Sequence, residues 1–272
     1  MKKFRALLKV FVLLMVLSFV SPAVLPISGA ATAQAAAVKL SQKNLTLEVG
    51  KSQTLKITGT KQKATWTSSN KSVATVGKTG KVTAKKAGTA TITATVNKKK
   101  YSCKVTAFES QKLTSGKVSY VIPKDWTSEV LYDQNGSAAL QFFPKSADIT
   151  NPLSFLEIII SYTGTTKTEY STAKEYLETL MTEEYLTNLY SQGGSAVTIS
   201  DIKMSDYESK LGTAFKSEFN TKIDDVSMDQ IIYDIFLDDY VIEVQVWDIG
   251  DNTKPDVSLM GEYLLNSITI KK

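Results

Sequence analysis

The sequence predicts two folded domains of different class behind an export signal: mainly β first, a small β-sandwich, then α+β, a mostly antiparallel sheet covered by two helices. Three observations carry this prediction. The charge reverses abruptly along the chain, the first half alternates apolar and polar residues with period two, and the second half interleaves strands with two amphipathic helices.

The formal charge of the 272 residues is +5. Residues 38–108 hold fifteen lysines against one acid, Glu48, and stand at +14, whereas residues 109–272 hold thirteen lysines against twenty-six acids and stand at −13. A composition shift of this size marks a domain boundary. The polar stretch "FESQKLTSGK" supplies it. The expected organisation is a signal peptide over 1–35, a first domain over 36–109, a linker over 110–116 and a second domain over 117–272.

Lys2, Lys3, Arg5 and Lys9 precede an apolar run over 10–20, and small residues follow to Ala33-Gln34-Ala35 and Ala35-Ala36-Ala37. Basic n-region, short h-region and A-x-A site are the pattern of a secretory signal peptide. The run falls short of the ~20 residues of a membrane span, so cleavage is expected, with membrane contact only through this segment if it is retained. No cysteine for lipid attachment stands near the cleavage site, and "NSITIKK" carries no wall-sorting signal. The expected location is secreted or cell surface, at the wall of a Gram-positive envelope.

Cys103 is the only cysteine, Arg5 the only arginine, and there is no histidine. An internal disulfide is therefore excluded, and so are Ser-His-Asp and Cys-His centres and histidine zinc sites. Without arginine the mature chain lacks the planar fork that reads guanine edges, so nucleic acid is not an expected partner. No cofactor is expected.

In the first domain Leu45, Leu47 and Val49 share one face of "LTLEV", Leu55 and Ile57 one face of "TLKIT", and Ala90, Ile92, Ala94 and Val96 one face of "TATITATV". Gly50, Gly59, Gly77, Gly80 and Gly88 punctuate them. Short strands with one wet face describe a sandwich, with Trp66 filling its core and Cys103 acting as a small buried hydrophobe. The stretch from Leu47 to Leu55 followed by "WTSSNKSVATVGKTGKVTAKKAGTATITA" closely resembles the bacterial immunoglobulin-like domain of group 2. That resemblance implies an immunoglobulin-like sandwich serving as spacer, stalk or adhesive module on a bacterial surface, and it implies no reaction.

Lysines cluster at the wet positions and turns of this domain: Lys61 and Lys63, Lys85 and Lys86, and Lys98, Lys99 and Lys100. Charge runs are commonly just solvated faces, but the near absence of neutralising acids makes these seven the candidate polyanion-binding residues. The expected partner is an anionic cell-wall polymer, with a surface glycan or protein as the broader class.

In the second domain the apolar runs predict strands at 118–122, 129–132 and 137–143, with a hairpin turn at Asn135-Gly136, and "SFLEIIISY" continues the sheet. Thr172 and Glu175 have capping-box spacing before one helix carrying Ala173, Tyr176, Leu177, Leu180, Met181 and Leu189 inwards, stopped at Gly193-Gly194. Four strands follow, around "VTISDIKM", "GTAFKSEFN", "SMDQIIYDIFL" and "YVIEVQVW", then a helix near Pro255 with Thr253 and Asp256 in cap positions and Val257, Met260 and Leu264 on its stripe. The start "GKVSYVIPKDW", with Gly116, Tyr120, Pro123 and Trp126, and the closing "YLLNSI" resemble the PsbP-like family. This resemblance implies an export-associated accessory or binding domain without a catalytic centre.

Asp224, Asp225, Asp229, Asp238, Asp239 and the acids of "DIGDNTKPD" fit no calcium-loop spacing, and turn and cap duty accounts for them, so no metal is expected. No carboxylate pair stands out for glycoside hydrolysis. The expected function is non-enzymatic: an immunoglobulin-like module tethering or spacing an acidic binding domain. The alternative is a carbohydrate-binding or carbohydrate-active secreted protein, with Trp126, Trp247 and Tyr162 as stacking residues.

Overall fold

Alternation of small apolar residues with threonine and lysine builds nine strands in the first half, and the computed structural model describes residues 37–145, 147, 154–164, 170–250 and 257–271. The described residues divide into two units, 37–111 with 123–125, and 112–122 with 126 onwards. The signal segment 1–35 lies outside the described residues, as do Thr253, Pro255 and Asp256.

The first unit contains β1 (Lys39–Leu40), β2 (Asn44–Glu48), β3 (Ser52–Thr54), β4 (Ile57–Thr58), β5 (Thr65–Ser68), β6 (Ala74–Val76), β7 (Lys81–Ala84), β8 (Gly88–Val96) and β9 (Lys99–Phe108). A four-stranded sheet runs β2-β9-β8-β5 and a three-stranded one β3-β7-β6, with β1 pairing β4. Leu45, Leu47, Leu55, Val82, Ile92 and Val105 fill the space between them, together with Cys103. The "TLKIT" run is not one strand, because its first half pairs β7 and its second half pairs β1. Leu55 at the switch is fully buried, and the chain changes sheets there. Trp66 is half-buried against the core, since β5 is an edge strand with one neighbour. Its ring closes over Gly80, which sits at φ +82° and where a Cβ would collide with Leu55 O and the Trp66 ring.

β10 (Ser110–Ser115) and β11 (Val118–Pro123), which lie mostly in the second unit, join β19 (Thr269–Ile270) in a three-stranded sheet. The segment 110–116 read as a linker is thus mostly strand. Its alternation "SQKLTS" pairs with β11 across Gly116, which sits at φ +54°.

A seven-stranded sheet follows, built from β12 (Trp126–Gln134), β13 (Ser137–Pro144), β14 (Phe155–Tyr162), β15 (Val197–Ser209), β16 (Gly212–Ile223), β17 (Val226–Phe236) and β18 (Tyr240–Asp248). Its order is β12-β13-β14-β18-β17-β16-β15. All six pairings are antiparallel, the mostly antiparallel sheet that the alternation predicts. Asn135 and Gly136, at φ +54° and +81°, make the two-residue turn between β12 and β13.

Among the described residues three α-helices cover the sheet: α1 (Tyr170–Leu180), α2 (Glu183–Tyr190) and α3 (Val257–Ser267). The single helix expected before Gly193 is two, because Thr182 is extended (φ −114°, ψ 149°) and its hydroxyl accepts from Tyr185 N. A cap at Thr182 restarts the helix and turns Leu186 and Tyr190 inwards. Thr172 lies inside α1 and caps nothing at its start. The helical run ends at Gly194 in the left-handed region, after a short 3-10 turn over Ser191–Gly193, as the double glycine predicts.

The connection through α1 and α2 carries the chain from β14 in the middle of the sheet to β15 at its edge. Strands β15 to β18 then return until β18 pairs β14. Helices α1 and α2 pack on the face holding Phe215, Phe219, Ile232 and Trp247. Helix α3 packs on the opposite face, where Gly261 sits so close to Val246 that a Cβ would collide with its Cγ2. Ser267 at its end accepts from Val121 N, tying α3 to β11.

Candidate functional site

The seven lysines divide into two groups. Asn97 and Lys98 form the β8–β9 turn at φ +47° and +65°, with Lys99 opposite Val96 and Lys100 opposite Thr95. Thr95 is also the partner of Thr65, the first residue of β5. Lys61 and Lys63 precede Thr65, so they reach the end of the sheet that carries Lys98, Lys99 and Lys100. Lys85 and Lys86 follow β7 and lead into Gly88, at the other end of β8, nine residues or about 27 Å away. All seven are exposed.

The one acid of residues 38–108 is also remote from the turn. Glu48 pairs with Phe108 at the far end of β9 and accepts a hydrogen bond from Ser110 Oγ (2.6 Å). Five lysines therefore share one end of the sandwich with no carboxylate of the module beside them, a concentrated positive field.

In the second unit the face beneath α1 and α2 is unexpectedly polar. Gln141 stands opposite Glu157, Glu157 opposite Gln245, and Asp234 opposite Glu243. Directly paired residues of an antiparallel sheet share a face, with Cβ atoms about 5 Å apart. Glu157, Asp234 and Glu243 are only 2%, 5% and 7% exposed. Gln141 Nε2 donates to Glu157 Oε2 (2.8 Å). Trp247 Nε1 donates to Gln245 Oε1 (2.8 Å), and Gln245 Nε2 donates onward to Glu243 Oε1.

Burial drives all three carboxyls above the ordinary carboxylate range. Glu157 is pushed up to about 8, chiefly by burial and further by the Glu243 charge, against the opposing hydrogen bond from Gln141. Asp234 is raised well above its usual value by burial and then by the Glu243 charge and hydrogen bond. Glu243 is raised by burial, while the bonds from Gln245 and Asp234 pull it back. Burial and the neighbouring like charge thus both favour the protonated form of this group of acids.

Beside this pair the polar band is incompletely satisfied. Tyr190 Oη on α2 and Thr221 Oγ1 both donate to Gln230 Oε1 (3.0 Å each), which fixes the amide orientation. Gln230 Nε2, Ser217 Oγ and Asp234 Oδ2 are buried without a hydrogen-bond partner. Among the described residues no three acids, cysteines or histidines gather in a metal-holding arrangement.

Trp126 and Trp247 are core residues, fully buried or nearly so, with Trp247 stacked on Phe155 at 5.4 Å. Neither is available to stack on a sugar. Tyr162 is half-exposed, with its ring 5.3 Å from that of Tyr240. The buried acids were not singled out from the sequence. Their signal was single charges at alternate positions inside apolar runs, as in "FLEIII", "IIYDIF" and "VIEVQVW".

Fold and sites together define a class: a lysine-ended β-sandwich joined to an acidic α+β domain with a polar core. Residues 34–107 match the bacterial Ig-like domain (group 2) family. The chain is similar to the solution structure of cyanobacterial PsbP (CyanoP) from Synechocystis sp. PCC 6803, at 15% identity and a TM-score of 0.41, over 60% of this chain and 92% of that one. A crystal structure from Bacteroides thetaiotaomicron VPI-5482 is similar at 10% identity and a TM-score of 0.39, over 60% of this chain and 48% of that one. A comparison with curated proteins gave no match. Among the described residues no helix is long and apolar enough to cross a membrane.

Proposed function

We propose that this is an exported, non-enzymatic envelope protein whose immunoglobulin-like module holds an acidic binding domain at the cell surface. The match to a bacterial Ig-like family supports an extracellular or surface module. In this reading the five lysines at the β8–β9 end attach the module to an anionic wall polymer. The observation that carries it is the strand register, which brings Lys61 and Lys63 to the end held by Lys98, Lys99 and Lys100 and leaves Glu48 at the other.

Lysine ammonium groups act there as point charges, which suits a polymer of repeating phosphates or carboxylates better than one small anion. Screening limits their reach to about 8 Å at physiological salt, so binding is by close contact and salt-sensitive. The test is co-sedimentation of the full chain with purified Gram-positive wall across a salt series. Binding at low ionic strength with release as salt rises supports the reading. A chain that stays in the supernatant at every salt concentration refutes wall attachment and leaves the module a spacer.

A further inference from the structure

We propose that Glu157, Asp234 and Glu243 form a proton-held latch that seats the α1–α2 layer on the sheet and loosens it when the three carboxyls ionise.

The geometry comes first. The three acids occupy the three central strands β14, β17 and β18, on the face that α1 and α2 cover. Gln141 donates to Glu157 and Gln245 to Glu243, and Asp234 stands opposite Glu243 in the sheet. Amide donors stabilise a carboxylate, but they do not neutralise it. A buried ionised carboxylate needs a counter-charge or water, and three on adjacent strands need it more. Protons are the counter-charge that this arrangement takes.

The groups facing the trio from the packed elements do not change this balance. Tyr190 on α2 is the titratable group nearest above it, and burial keeps that phenol protonated. On α1, Lys174 is committed to Asp206 of β15 at 2.6 Å, and Tyr170 donates to the same Asp206 Oδ1. β13 contributes Gln141, and β16 contributes Ser217, Phe215 and Phe219, none of them charged. The layer above is itself acidic, with Glu175, Glu178, Glu183 and Glu184 against Lys174.

When the protons leave, water must reach the face, and the layer has a joint that permits it. Thr182 is extended between α1 and α2 and is exposed. Gln230 Nε2, Ser217 Oγ and Asp234 Oδ2 offer unpartnered positions at which entering water can bind. Two arrangements of one helical layer, biased by local charge, are what a switch requires.

The test is amide hydrogen exchange of the full chain at pH 6 and pH 9, corrected for intrinsic base catalysis, with β9 as internal reference. The latch predicts that protection over α1 and α2 falls about tenfold or more at the higher pH while β9 is unchanged. In E157Q/D234N/E243Q the layer should exchange alike at both pH values. Should that variant not fold, E157Q alone and the infrared carbonyl band of protonated carboxyls decide the matter. The band should be present in the natural chain at pH 6, weaker in E157Q and gone at pH 9. Equal protection at both pH values in the natural chain, an undiminished pH effect in the variants, or no protonated band overturns the proposal.

Discussion

Asp234 on β17 stands directly opposite Glu243 on β18, and both carboxyls are buried in the core of the sheet. Two like charges on directly paired buried residues disfavour each other without water, so burial and mutual repulsion both favour a proton here. Glu157 lies diagonally across β18, beside Gln245, and completes the group.

The pH dependence of stability follows with a definite sign. Folded Glu157 keeps its proton up to about 8, whereas its ordinary value is 4.5. Between those values the folded chain binds more protons than the unfolded one. The contribution is therefore full below 4.5 and is lost as pH rises through 8. Thermal melting of the second unit, followed through Trp126 and Trp247, should show a Tm that falls from pH 5 to pH 9. Glu157→Gln should flatten that slope. A natural-chain Tm that rises over this range contradicts the burial argument.

Lysines at the two ends of the sandwich should behave differently. Changing Lys98, Lys99 and Lys100 to glutamine, or Lys61 and Lys63, should weaken wall co-sedimentation severalfold, since each removes charges from the same end. Lys85→Gln with Lys86→Gln should have a small effect. All seven are exposed, so folding should be unaffected, as circular dichroism would check. Equal losses from both ends would mean that net charge alone governs binding.

Gly261→Ala tests the α3 contact with the sheet. The new methyl would press on Val246 Cγ2 in a filled core, with Met260 and Leu264 also fully buried on the helix. Overpacking of this kind costs about 1–3 kcal/mol. The second unit should melt several degrees lower, while the first unit keeps its Tm. An unchanged melting curve would show that α3 shifts freely on the sheet.

Cys103 should be chemically silent in the folded chain. It is fully buried in the sandwich core, and burial pushes its thiol up to about 11, so the reactive thiolate is scarce at neutral pH. Thiol reagents should label it only on unfolding, and reductant should leave the Tm of dilute protein unchanged. Rapid labelling under native conditions would place the side chain at the surface.

Strand positions were legible wherever one side of a strand is wet. Ala90, Ile92, Ala94 and Val96 alternate with threonines and are buried as the alternation predicts, because water on one face leaves the period-two signal intact. The Asn135-Gly136 turn was legible for a similarly local reason, since both residues tolerate positive φ. The acids of β14, β17 and β18 were not legible as a group. Each is a single polar residue in an apolar run, and the chain separates Glu157 from Asp234 by two α-helices and two strands, and from Glu243 by one strand more.

The sequence by itself determined the charge reversal, the immunoglobulin-like pattern, the exclusion of histidine chemistry and disulfides, and the alternation that makes each strand. These are properties of composition and of near neighbours, where period and turn chemistry act over a few residues. Tertiary structure alone decided which lysines share an end, that residues 110–115 pair with β11, that Thr182 divides one helix into two, and that three acids meet under that layer. Each depends on register between strands distant in the chain, and register is set by burying whole faces together, a free energy that no single stretch of sequence contains.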